Sequence, residues 1–170
     1  MVYVALQVLL CRGSFMKIEL NWLEPIELGS SSTLRENIKN LDLKPIPDIA
    51  GIYVFYREYG GKQYALYVGK SENIRTRMKS HFNSLSLIEG LENTPQGAKK
   101  LIFAEVKTRS DLGRALNQAE KGLIQHYIDK GHPLLNQKLM ADHFDEIISR
   151  GEVIDLVSEE ILVYSTQISR

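Results

Sequence analysis

The sequence predicts an α/β (α+β) fold: a small, mostly antiparallel three-stranded central sheet flanked by helices, with extra strands from the N- and C-terminal parts of the chain. Three observations carry the prediction. Two apolar, tyrosine-bearing runs, Gly51-Ile52-Tyr53-Val54-Phe55-Tyr56 and Ala65-Leu66-Tyr67-Val68-Gly69-Lys70, flank a polar segment containing Gly60-Gly61. Their β-branched and aromatic content reads as a β-hairpin with a longer loop. Residues 100–107 read as a third strand, and Leu116, Ala119, Leu123, Ile124 and Tyr127 mark the apolar face of a long helix after it.

In chain order, residues 1–10 are apolar but lack the basic start and small-residue cleavage site of a secretory signal. Residues 1–15 read as an upstream extension of the frame or an extra edge strand, and residues 17–23 alternate like a strand. Thr33 is the expected cap of a short helix over 34–41, and Pro45 and Pro47 break regular structure before the hairpin. After the hairpin, Ser71 is the expected cap of a helix over 72–82, with Ile74, Met78 and Phe82 as its apolar stripe. Two basic rows flank that stripe, Arg75 with Lys79 and Arg77 with His81. Residues 83–97, with Gly90, Pro95 and Gly97, read as a long irregular segment. Ser110 or Asp111 opens the long helix, and Gly131 and Pro133 stop it at Lys130. Strands are expected at 152–157 and 160–164. The resulting organisation is an N-terminal extension packed on the core (1–45), a central domain (46–138) and an acidic C-terminal extension (139–170).

The 170 residues suffice for one buried core without disulfides or metal staples. No apolar run reaches bilayer-spanning length, and the single cysteine, Cys11, points to a reducing, cytoplasmic setting. No Cys/His cluster suggests structural zinc. The net charge of zero conceals an asymmetry: residues 1–138 hold 19 Lys and Arg against 14 Asp and Glu, whereas residues 139–170 hold two against seven. A mildly basic body is compatible with a polyanionic ligand.

The polar residues out of place are the strand tyrosines, a cationic helix and Glu120, whose carboxylate lies at the edge of an apolar helix face and therefore needs pairing, coordination or an outward path to water. Taken singly, each has an ordinary structural reading: tyrosine suits strands, His81 suits a helix surface, and Asn136 suits a turn. Taken together, Gly51-Ile52-Tyr53, Tyr67-Val68-Gly69, Arg77 ten residues after Tyr67, Glu120 on a helix and Asn136 after Pro133-Leu134-Leu135 resemble the GIY-YIG nuclease superfamily in type and order. The resemblance covers roughly residues 48–138. It departs in having Val68 where the signature has Ile, and in the apparent length of the hairpin loop and of residues 83–99.

The resemblance implies a metal-dependent endonuclease acting on DNA, with a nuclease acting on RNA or a non-catalytic nucleic-acid-binding or assembly module as alternatives. Glu120 would hold a single Mg²⁺ or Mn²⁺, since hard cations take carboxylate and water oxygens. Arg77 would clamp the scissile phosphate. Tyr53 or Tyr67 would orient or deprotonate the attacking water, helped by cations that lower a phenol's pKa, and His81 would position water or phosphate. Lys70, Arg75, Lys79 and Asn136 complete the expected substrate-binding set, Asn136 through hydrogen bonding that supports the site. No base-reading module is recognisable, so sequence preference is left open.

Overall fold

The computed structural model describes residues 16–136, 145–152 and 155–163. Its elements are β1 (Lys17–Trp22), β2 (Ile26–Gly29), α1 (Leu34–Lys39), β3 (Gly51–Tyr59), β4 (Lys62–Ser71), α2 (Ile74–His81), α3 (Leu85–Glu92), β5 (Ala98–Lys107), α4 (Leu112–Asp129), β6 (Asp145–Gly151) and β7 (Glu160–Val163). The sheet runs β4-β3-β5-β1-β6-β7, with β2 also paired to β5. The three expected strands pair antiparallel at one end of the sheet, with β4 at its edge, and the expected extra strands join the same sheet rather than a separate one. At ten residues, β5 is long enough to pair with β2 near its start (Ile26 with Leu101) and with β1 near its end (Trp22 with Ala104). β1 then pairs in parallel with β6, which makes the sheet mixed.

Period-two alternation distributes β3 between two cores. Ile52, Val54 and Tyr56 pack on the α4 side with Leu116, Ala119, Leu123 and Tyr127. Tyr53 and Phe55 face the other way, toward Ile74, Met78, Leu87, Ile88 and Leu91 from α2 and α3. A strand with both faces covered reads as a continuous apolar run, as β3 does.

Several expectations are corrected. The hairpin loop is two residues long: Tyr59 pairs with Lys62, and Gly60 and Gly61 turn the chain at φ +58° and +73°, both left-handed and open to glycine without a Cβ penalty. The polar residues on either side extend the strands. Asn73, not Ser71, caps α2; its side chain accepts from the Thr76 backbone N–H, while Ser71 ends β4 and hydrogen-bonds to Asn73. Residues 83–97 are not irregular throughout, because Leu87, Ile88 and Leu91 bury one side of α3. Thr33 precedes α1 without a capping bond, its hydroxyl engaging Ser30 instead, and α1 ends at Lys39. Asp111 caps α4 as expected, accepting from the Arg114 N–H. Near the C-terminus, the expected strand at 152–157 is displaced to 145–151, and residues 155–157 lie in a turn with Leu156 and Val157 buried; the other expected strand is present as β7. The readings of residues 1–15, and the ends of the 160–164 and 152–157 proposals that fall on 164 and 153–154, lie outside the described residues. No helix among the described residues is long and apolar enough to cross a membrane.

Candidate functional site

β4 is a sheet edge, and the site straddles it. From β3, Tyr53 is fully buried and its ring lies against Gly69 of β4. A Cβ at Gly69 would fall within 3.0 Å of Tyr53 Cζ, Oη and Cε2, so only glycine lets the ring lie there. Gly51 is constrained in the same way by the Ala104 carbonyl across the β3–β5 pair. Tyr67 is half-buried and stacks beside Tyr53, with ring centroids 6.3 Å apart and planes 13° from parallel.

Helix α2 lays Arg77 and His81, one turn apart, over these rings. His81 Nε2 lies 2.6 Å from Tyr53 Oη, and Arg77 Nε donates to the same oxygen at 3.4 Å. A guanidinium only donates, so Tyr53 Oη accepts from Arg77 and its own O–H is directed to His81 Nε2, which assigns the His81 proton to Nδ1. Burial, reinforced by the Arg77 charge, lowers the His81 pKa to about 4, so the imidazole is a neutral acceptor at pH 7. Burial raises both phenols above their ordinary value, and Arg77 only partly offsets it. Arg77 thus lowers both phenols in the expected direction, but by less than burial raises them, so the protein's own cations do not create a resting phenolate.

The second half comes from α4. Glu120 is 9% exposed, and its Oε2 accepts from Lys70 Nζ at 2.9 Å. Lys70 also donates to Asn117 Oδ1, one helical turn before Glu120. Asn117 was not foreseen, although its spacing from Glu120 places both on one helix face. The pairing answers why a carboxylate is tolerated there. Glu120 Oε1 makes no hydrogen bond among the described residues. Among the described residues no group of three or more His, Cys, Asp or Glu side chains could hold a metal. The donor set is thus one carboxylate with one uncommitted oxygen, which fits a hard divalent ion that keeps most of its water.

The chain after α4 closes the exposed edge of β4. His132 Nδ1 accepts from the Ala65 N–H, the Leu135 N–H donates to the Leu66 carbonyl, and the Asn136 amide takes both backbone groups of Val68, donating to its carbonyl at 2.6 Å and accepting from its N–H at 3.3 Å. Asn136 thereby imitates a neighbouring strand beside Tyr67 and Gly69. Arg75 is turned away from the tyrosines: it donates to the Ile46 and Lys44 carbonyls and lies 3.8 Å from Asp48. Lys79 faces a groove on the far side of α2. The structure thus gathers Tyr53, Tyr67, Arg77 and His81 on one face, with Glu120 and Lys70 on the other side of the β4 edge. The electrostatic influence of Glu120 still reaches both phenols and Arg77.

Residues 49–132 match the family model described as the GIY-YIG catalytic domain. UvrABC system protein C of Campylobacter jejuni is 42% identical over 129 residues, covering 70% of this chain and 20% of that protein. The protein of the same name from Thermus thermophilus is 33% identical over 102 residues, covering 59% of this chain and 15% of that protein. The chain spans a fifth or less of the length of these curated relatives. No solved structure matches it.

Proposed function

The chain belongs to the GIY-YIG nuclease superfamily through residues 49–132, and from that premise we propose that it is a metal-dependent endonuclease hydrolysing DNA phosphodiester bonds. The observation that carries the proposal is the Tyr53–His81–Arg77 cluster set across the β4 edge from Glu120. DNA as substrate rests on membership of the nuclease superfamily.

Exposed Arg77 binds the scissile phosphate, its guanidinium held at one end by Tyr53 Oη. Tyr67, the less buried phenol, orients the attacking water, because Tyr53 is closed off from solvent. With both phenols held protonated, the neutral His81 imidazole is the cluster's available proton acceptor, reached from the attacking water through the Tyr67 hydroxyl and then that of Tyr53. A phosphate on Arg77 places negative charge near His81 and raises its proton affinity. Glu120 would hold Mg²⁺ or Mn²⁺, which when bound supplies Lewis-acid stabilisation of developing charge. Lys70 keeps the carboxylate in place, and Asn136 fixes the β4 backbone beneath Tyr67.

Cleavage of plasmid and single-stranded DNA with Mg²⁺ or Mn²⁺, wild type beside Glu120→Ala and Arg77→Ala, tests this reading. Loss of at least about a hundredfold in each variant is expected for removing a group that stabilises transition-state charge. A wild type that cuts nothing, or variants that cut equally well, would overturn it. A parallel RNA substrate separates the two nucleic acids. One observation favours the non-catalytic alternative: Lys70 already neutralises Glu120. Salt-sensitive DNA binding with no metal-dependent cutting would establish that reading instead.

A further inference from the structure

On the side of α2 away from the tyrosines lies a groove of about 530 Å³ between α1, the following loop, α2 and α3. Its walls include Leu41, Phe82 and Ile88, and Leu85 stands at the rim 61% exposed. The charged side chains lining it are all cations: Arg35, Lys39 and Lys79. Arg35 is committed to Glu92 through two hydrogen bonds of 2.7 Å, and Glu89 adds to the negative field on that guanidinium. Among the described residues no ion pair engages Lys39 or Lys79.

We propose that this groove binds an unpaired nucleotide of the substrate strand, its base against Phe82 and the neighbouring aliphatic side chains, and its flanking phosphates on Lys39 and Lys79. Two observations select this occupant. An apolar, aromatic-bearing wall under cations without carboxylate partners is the combination that takes stacked bases and backbone phosphates together, and no carboxylate lines the groove to repel them. The groove is also continuous with the nuclease site through one helix: on α2, Lys79 lies between Arg77 and His81 in sequence but faces the groove, and Phe82 directly follows His81. A strand with one phosphate on Arg77 has α2 as its path into the groove. The inference rests on the nuclease reading and narrows its substrate to DNA carrying an unpaired segment beside the cleavage point.

The test is binding of an oligonucleotide containing 2-aminopurine to the full chain in metal-free buffer, which does not depend on turnover. Wild type is expected to bind the single strand in preference to the same sequence fully paired, with a change in 2-aminopurine fluorescence as the base enters the groove. Lys39→Glu and Leu85→Glu, both at exposed positions, are expected to weaken single-strand binding about tenfold, the scale of one base contact, and Lys39→Glu to reduce the salt slope by about 0.7. Phe82→Leu, which keeps an apolar wall, is expected to lose the fluorescence change. Unaltered single-strand binding in both Glu variants overturns the proposal, even if the protein cuts DNA. A change of oligomeric state in those variants with oligonucleotide binding unaltered also overturns it and assigns the groove to a second copy of the chain. Failure of the nuclease reading shows separately, as absence of metal-dependent cutting while this binding persists.

Discussion

The two halves of the site stabilise their polar groups by opposite means. On the β3–β4–α2 side, burial keeps Tyr53, Tyr67 and His81 uncharged, and they satisfy one another through a short hydrogen bond and ring packing. On the α4 side, Glu120 is held as half of an ion pair with Lys70, at the edge where solvent reaches the lysine. The difference teaches that a nearly buried carboxylate survives by having a cation to share, whereas the phenols and imidazole survive by remaining neutral. The Glu120 carboxylate is thus held in a position that already faces a positive charge, that of Lys70.

Lys70→Met breaks the comparison most sharply. It leaves Glu120 without its cation, and a loss of about 2 kcal/mol is expected after discounting the buried-pair value for the exposure of Lys70. Mn²⁺ should restore more thermal stability to this variant than it adds to wild type, as read by melting temperature. Equal metal shifts in the two proteins would separate Lys70 from the metal position. Gly69→Ala attacks the other half: its Cβ forces the Tyr53 ring to move, with an expected cost of about 1–3 kcal/mol in urea unfolding and a larger fractional loss of cleavage than of stability. A stability change below about 0.5 kcal/mol would show that the ring moves aside freely.

Asn136→Ala is next, with about 1–2 kcal/mol expected from uncovering the Val68 backbone groups. Asn136→Asp retains an acceptor for the Val68 N–H but loses the donor to its carbonyl, so it should recover only part of the loss. Full recovery would show that the amide donor contributes little.

The main elements were legible because period and punctuation agreed: the Gly-Gly pair, the stripe of α4 and the Gly131–Pro133 stop each point the same way. The family was legible because the residue types and order that carry it, Gly51-Ile52-Tyr53 and Tyr67-Val68-Gly69 ahead of Arg77, Glu120 and Asn136, are local properties of the chain. Contacts made across the sheet were not. Asn117 looked like an ordinary helix-surface amide until β4 brought Lys70 to it, and only the family order, not charge or helix position, separates Arg77 over the tyrosine from Arg75, which is bound to loop carbonyls. Gly90 obscured α3, whose Leu87, Ile88 and Leu91 carried a readable helical spacing. Ser71 lost its expected capping role because β4 continues to it, leaving Asn73 as the first residue free to turn into a helix.

A separate expected effect is on pH dependence. His81 titrates near pH 4 in the folded protein and near 6.5 when unfolded, so its contribution to stability is full above pH 6.5 and is lost as pH falls through 4. His126, which is depressed to about 4 mainly by burial and is hydrogen-bonded to Ser158, adds a loss in the same window. Urea midpoints measured from pH 7 to 4 should fall less steeply in His81→Gln and in His126→Gln. A slope unchanged in both would locate the acid sensitivity elsewhere.

The most direct test of the central claim, that the two halves form one metal-dependent active site, is single-turnover DNA cleavage as a function of Mn²⁺ concentration in wild type, Arg77→Ala, Glu120→Ala and the double variant. The account predicts that Arg77→Ala lowers the maximum rate but retains a saturable Mn²⁺ dependence, that Glu120→Ala abolishes that dependence, and that the double variant is scarcely worse than Glu120→Ala alone. Undiminished, Mn²⁺-saturable cleavage by Glu120→Ala would contradict it.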